Sequence, residues 1–198
     1  MIPATIGARE ESSHVATAQP AVKLTYDDYC AAPADNRYEL LDGELIMVPA
    51  PNTRHQRVNR QLTTRLDRFI SDRGSGELFY APFDVVLSDS DIVQPDLLFV
   101  SREREHMITA ENMRGAPDLV IEILSPSTAD KDRGKKRTLY GKHGVTEYWL
   151  VDPAAETVQI HRLQGETLIP TRNFRREETL RSPLLSGLEL HLHDIFLS

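Results

Sequence analysis

The sequence predicts an α/β fold: a mixed central β-sheet flanked by helices, with a β-hairpin extension near its start. Three features carry this. Apolar runs flank Asp42-Gly43, a strong short hairpin signal. Residues 53–72 repeat apolar side chains at helical spacing. Residues 118–151 read as strand, helix and strand, the unit that joins parallel strands by a crossover.

In chain order, residues 1–21 mix small and polar residues without periodicity and read as a flexible tail. Residues 22–198 then form one domain, as expected for a chain of 198 residues. Thr25 and Asp28 are spaced as a capping box for a short helix reaching Cys30. The hairpin strands follow, over 37–41 and 44–48. In the helix over 53–72, Val58, Leu62, Leu66, Phe69 and Ile70 share one stripe, and Gly74-Ser75-Gly76 ends it. Strands are expected over 83–87 and 96–100, separated by the turn Ser88-Asp-Ser-Asp91. Asp118–Leu124 reads as a strand buried on both faces. Ser127 and Asp130 suggest a capping box opening a helix to about His143, with Gly144 as its stop. Further strands fit 147–151 and 157–163, and 188–192 alternates like an edge strand.

Composition sets limits. Twenty-three Lys and Arg against 30 Asp and Glu give a net charge of −7, which excludes nucleic-acid binding by bulk charge but not by a local basic groove. The single cysteine, Cys30, excludes an internal disulfide and a Cys-x-x-Cys metal site, and reads as a small buried hydrophobe. No apolar run approaches the ~20 residues that span a bilayer, and the first 20 residues lack a signal-peptide pattern. A soluble, cytoplasmic protein is the expectation.

Glu122 is the most informative residue. It sits in the middle of the most apolar strand, where an isolated carboxylate costs several kcal/mol unless paired, protonated or bound to metal. It reads either as a structural or strand-end glutamate or as a metal ligand. Asp96 follows Pro95 and opens an apolar strand. Alone it is ordinary turn chemistry, whereas with Glu122 it supplies two hard oxygen donors of the kind that suit Mg²⁺ or Mn²⁺. On the helix after Glu122, Asp132, Lys136, Leu139 and Tyr140 share a sector, so Lys136 lies on the face that meets the sheet. There it either snorkels, pairs with Asp132, or meets a carboxylate such as Glu122. Two carboxylates, a divalent cation and a lysine make a coherent site for phosphodiester hydrolysis.

The segments Tyr38-Glu-Leu-Leu-Asp-Gly-Glu44, Gln94-Pro-Asp-Leu-Leu-Phe99 and Val120-Ile-Glu-Ile-Leu-Ser-Pro-Ser-Thr128 resemble the PD-(D/E)xK nuclease superfamily, in particular its Uma-two branch of restriction endonucleases. Asp132, Lys136 and Tyr140, then Gly144-Val-Thr-Glu-Tyr-Trp-Leu-Val-Asp152, continue the likeness, which runs from about residue 24 to 197. The resemblance implies a restriction-endonuclease-like core, Mg²⁺ or Mn²⁺ held by Asp96 and Glu122, DNA as substrate, and a homodimer. A strict E-x-K pattern asks for lysine at 124, where Leu124 stands; the branch places it on the following helix, at Lys136. Glu39 matches the family's early acidic position, an auxiliary carboxylate, and His55 its early histidine. His55 also reads as an ordinary capping or surface residue.

Two stretches fit a nucleic-acid cleft by charge: 54–68 and 130–142 are each net +4. Either is equally the solvated face of a helix. His191 and His193 fit a strand with both rings on one face and no zinc set. Two other functions remain open: a catalytically silent nuclease-fold binding or scaffold protein, and a nucleotidyltransferase using Asp89 and Asp91.

Overall fold

The turn at Asp42-Gly43 forms as the sequence predicts. In the computed structural model, which describes residues 22–197, both turn residues have positive φ, 56° and 76°. This is the conformation that matches the twist of the flanking strands. Strands β1 (Tyr38–Leu41) and β2 (Glu44–Met47) pair antiparallel around it. The tail expected over 1–21 lies outside the described residues. Helix α1 (Tyr26–Cys30) opens where expected, with the Thr25 backbone N–H donating to the Asp28 carboxylate at 2.9 Å. Cys30 is exposed, against expectation: Tyr26 and Tyr29 form the face that packs on Leu40 and Ile92, and Cys30 stands beside them on the outer side.

Helix α2 (Thr53–Arg73) is capped by Asn52, whose side chain accepts the His55 backbone N–H, and ends at Gly74 in the left-handed region (φ 55°). The chain reverses at once into β3 (Gly76–Tyr80), a strand the pattern does not reveal. Next come β4 (Val85–Ser88), β5 (Asp91–Val93), β6 (Leu97–Ser101), a 3₁₀ turn at Arg102–Met107, and β7 (Met113–Arg114). Strand β8 (Leu119–Ile123) is buried throughout, as predicted. The chain completes with β9 (Glu147–Asp152), the hairpin β10 (Thr157–Gln164) and β11 (Thr167–Arg175), β12 (Thr179–Leu180) and β13 (Leu190–His191).

Where one mixed sheet is expected, two form. A five-stranded sheet runs β2-β1-β5-β4-β7 and a six-stranded sheet runs β11-β10-β9-β8-β6-β3; β12 and β13 make a separate ribbon. Both larger sheets are mixed, since β4 pairs parallel with β7 and β8 with β9. The three residues Gln94-Pro95-Asp96 carry the chain from the first sheet into the second. The edge strand expected over 188–192 shortens to β13, because Leu192 opens helix α5 (Leu192–Ile195). His191 bonds Thr179 Oγ1 and His193 lies on that helix, so they do not share a strand face.

The helix after β8 is not uniform. It begins at Ala129, without a side-chain cap from Ser127, as α3 (Ala129–Lys131), widens to a π turn over Asp132–Lys136, and resumes as α4 (Arg137–Lys142). Alternation along β8 sends Leu119, Ile121 and Ile123 to one side, where Val58, Leu62, Leu66 and Ile70 of α2 pack. Val120 and Leu124 point to the other side, against Leu139 and Tyr140 of α4. The two basic helices therefore lie on opposite faces of the six-stranded sheet. Truncating Leu62 or Leu66, both fully buried, would cost about 2–5 kcal/mol. No helix among the described residues is long and apolar enough to cross a membrane.

Candidate active site

The crossing at Gln94–Asp96 brings the ends of β1, β6 and β8 and the start of α2 to one cleft, roofed by the α3–π segment. Asp96, Glu122, Glu39, His55, Asp132 and Lys136 all line it. The four residues singled out from sequence, Glu39, Asp96, Glu122 and Lys136, thus converge on one site.

Glu122 faces the helix because the even positions of β8 point that way, and it is buried. Its Oε1 accepts hydrogen bonds from Lys136 Nζ (3.0 Å) and Tyr140 Oη (2.7 Å). Glu39, buried on β1, places Oε1 2.8 Å from the same ammonium and accepts the Gln94 backbone N–H at 2.9 Å. Asp132 Oδ1 stands 3.7 Å from Lys136 Nζ and is buried with no hydrogen-bond partner. One ammonium is thus ringed by three carboxylates. Asp132 and Lys136 are both buried on the π turn, one helical turn apart. Leu124 packs in the core, so the position where a strict pattern asks for lysine is apolar, and the ammonium arrives from the helix instead.

Electrostatics follow the geometry. Burial pushes the Glu122 carboxyl well above the usual range; Lys136 pulls it back only in part, and Asp132, Asp96 and Glu39 push it up again. Asp132 is raised for the same leading reason. Burial disfavours the Lys136 ammonium, but Glu122, Glu39 and Asp132 outweigh that and hold it well above the ordinary lysine value. Burial and Glu122 likewise keep the Tyr140 phenol protonated, as the donor its hydrogen bond needs.

Asp96 is held differently. Its Oδ2 accepts the Ile123 backbone N–H at 2.7 Å and lies 3.0 Å from His55 Nε2. His55 is a buried partner of Asp96, not a surface residue, and its Nδ1 has no partner. The stripe Val58, Leu62, Leu66 extended one turn earlier passes through His55, a signal the sequence does contain. Asp91 is spent elsewhere: it accepts from the Asp42 backbone N–H (2.7 Å), Ser88 Oγ (2.8 Å) and faces His143 Nε2 (3.1 Å). Asp89 lies on an exposed turn outside the cleft. The arginines of α2 do not line the cleft either, and Arg54 and Arg65 pair with Glu156 and Asp194.

The donor set fits a hard divalent cation of a particular kind. Among the described residues, no group of three or more His, Cys, Asp or Glu converges as a closed ligand set. Asp96 Oδ1 and Glu122 Oε2 make no hydrogen bond to other described residues. Mg²⁺ is commonly held by one or two carboxylates, with water and substrate phosphate completing its shell. The surplus of carboxylates over ammonium also favours an added positive charge.

Three comparisons bear on the chain. Residues 25–193 match the model of the Uma2 family, described as "Putative restriction endonuclease". An uncharacterized protein of Synechocystis sp. is 25% identical over 135 residues, 67% of this chain and 76% of that one. A crystal structure of "a putative nuclease belonging to DUF820" from Anabaena variabilis aligns with a TM-score of 0.72 at 22% identity, covering 87% of this chain and 97% of that one. At that identity the likeness establishes the fold, whose class, mixed β-sheet flanked by helices, is the one the sequence predicts.

Proposed function

Because the chain belongs to the Uma2 family of restriction-endonuclease-like proteins, we propose that it is a metal-dependent endonuclease hydrolysing phosphodiester bonds in DNA. The observation that carries this reading is the convergence of Lys136 with Glu122 and Glu39 in a cleft that also contains Asp96.

Asp96 and Glu122 are the residues to hold Mg²⁺ or Mn²⁺. When bound, such an ion lowers the pKa of its water and polarises a phosphoryl oxygen. Lys136 keeps its proton beside three carboxylates, and so presents fixed positive charge to a phosphate whose negative charge grows during hydrolysis. Glu39 aims that ammonium from the five-stranded sheet, and Tyr140 fixes the Glu122 oxygen it donates to. Ile123 and His55 hold Asp96 at one oxygen and leave the other open. Cutting two strands is simplest with two sites related by a twofold axis, so a homodimer belongs to this reading.

The test is cleavage of plasmid and labelled oligonucleotide with Mg²⁺ or Mn²⁺ by the wild type, Glu122→Ala and Lys136→Ala. Cleavage by the wild type alone is expected. Equal cleavage by all three would remove the site. Leu124, packed in the core where a strict pattern asks for lysine, favours a second reading, a catalytically silent binding protein, and DNA binding without cleavage by any of the three would support it.

A further inference from the structure

The cleft holds two cations that the chemistry above does not use. Arg37 and Lys131 both line it, and neither forms an ion pair with any described residue. On the helix that carries Lys131, Arg133 pairs with Asp152 and Lys135 with Glu44.

Arg37 is built into place. The Val48 backbone N–H donates to the Arg37 carbonyl at 2.8 Å, extending the β1–β2 ladder by one residue. Residues two apart on a strand share a face, so Arg37 follows Glu39 toward the cleft, about 6–7 Å along the strand. Its Nε donates to Gln94 Oε1 at 2.9 Å. Gln94 is itself fixed: its amide donates to Asp84 Oδ1 at 2.7 Å, and Tyr29 Oη donates to the same oxygen at 2.9 Å. The guanidinium is therefore oriented by a neutral acceptor. It keeps its full charge, and its two terminal amino groups remain for a ligand with two oxygens. Such an expense of positioning on an uncompensated cation suits an anion that arrives from outside. Lys131, about one turn before Lys136, supplies a second positive charge on the opposite wall.

We propose that Arg37 and Lys131 form a phosphate-binding subsite beside the reaction centre, taking the backbone phosphate next to the bond to be cut. This rests on the nuclease reading of the cleft. In it Arg37 grips the phosphate oxygens bidentately, Gln94 positions Arg37, and Lys131 adds unspecific attraction, so the subsite reads backbone and not base sequence.

The experiment measures binding of a labelled duplex by fluorescence anisotropy over a salt series, with Ca²⁺ in place of Mg²⁺, alongside Mg²⁺- or Mn²⁺-dependent cleavage. Wild type, Arg37→Met, Arg37→Lys, Lys131→Met and Gln94→Leu are compared. Arg37→Met is expected to weaken binding about tenfold and to lower the salt dependence by about one phosphate contact. Arg37→Lys should keep the salt dependence and recover only part of the affinity. Gln94→Leu should weaken binding with the salt dependence retained. Should Arg37→Met fail to fold, as read by urea unfolding, Arg37→Lys and Lys131→Met decide. Wild-type affinity and salt dependence in these variants, with the wild type still cutting, would overturn the subsite and leave the nuclease reading standing. A wild type that neither binds nor cuts would overturn both.

Discussion

Glu122 and Lys136 are fourteen residues apart in sequence and 3.0 Å apart in space, one in the interior of a strand and the other on a widened turn of the helix that follows. Glu39 and Asp132 crowd the same ammonium, so removing the cation and removing a carboxylate are not equivalent. Lys136→Met leaves three buried carboxylates without a counter-charge and should destabilise the fold by about 3–5 kcal/mol at pH 7. The loss should shrink in acid, as those carboxyls take up protons. Glu122→Gln removes negative charge from a site with a surplus, and should cost less than about 1.5 kcal/mol. Urea unfolding of the two variants checks this; equal destabilisation would contradict it.

The raised Glu122 and Asp132 carboxyls set a second expectation. Each binds its proton more tightly folded than unfolded. Their contribution is thus fully present below the ordinary carboxylate range and is lost as pH rises through the raised values. A divalent cation that neutralises the site should offset that loss. Mn²⁺ should raise the melting temperature, by the equivalent of about 2.7 kcal/mol at a hundredfold excess over Kd. The gain should be larger at pH 7.5 than at pH 5, where protons compete for the same oxygens. Thermal scans followed by the buried Trp149 provide the measurement, and a Mn²⁺ effect that did not depend on pH would place the ion elsewhere.

His55 and Ile123 share the work of fixing Asp96 Oδ2. His55→Ala removes one of the two holds, and such partners of metal-binding carboxylates are commonly worth 10–100-fold in affinity or activity. Calorimetric titration with Mn²⁺ should show a loss of that order. His55→Gln carries an amide that can reach the same oxygen, and should restore part of it. Unchanged Mn²⁺ affinity in His55→Ala would make His55 a core residue only.

Much of this fold, and the convergence of the candidate site's residues, was legible beforehand, and the misses have physical causes. Glu122 stood out because a charge inside a five-residue apolar strand needs an explanation, and Lys136 because helical spacing put it on the face of Leu139. His55 was obscured because histidine is equally at home on surfaces, although it continues the apolar stripe of α2. Strand β11 buries only Leu168 and Phe174 of its nine residues, so no alternation marks it. The division into two sheets is invisible to local pattern, since it depends on where Gln94-Pro95-Asp96 sends the chain. Arg37 and Gln94 belong to a contact between segments 57 residues apart, which no spacing rule reaches.

His161 supplies a pH dependence independent of the cleft. It is fully buried on β10, beside a bulge and against the Tyr148 ring. Neither ring nitrogen has a well-aligned hydrogen-bond partner, although the backbone of Tyr148 and Gln159 lies nearby. Burial, and then the Arg137 guanidinium, push its pKa below the usual 6.5. The unfolded chain therefore binds a proton that the folded chain refuses. Stability from this residue is complete above about pH 6.5 and is lost as pH falls toward the lowered value, at about 1.4 kcal/mol for each unit of pH across that window. His161→Phe keeps the ring and discards both unpartnered nitrogens, so it should be neutral or stabilising at pH 7. Urea unfolding of both proteins from pH 7.5 to 5 isolates the effect: the difference should widen in favour of His161→Phe as pH falls through 6.5. Parallel curves would mean that His161 accepts its proton in the folded state as readily as in the unfolded one.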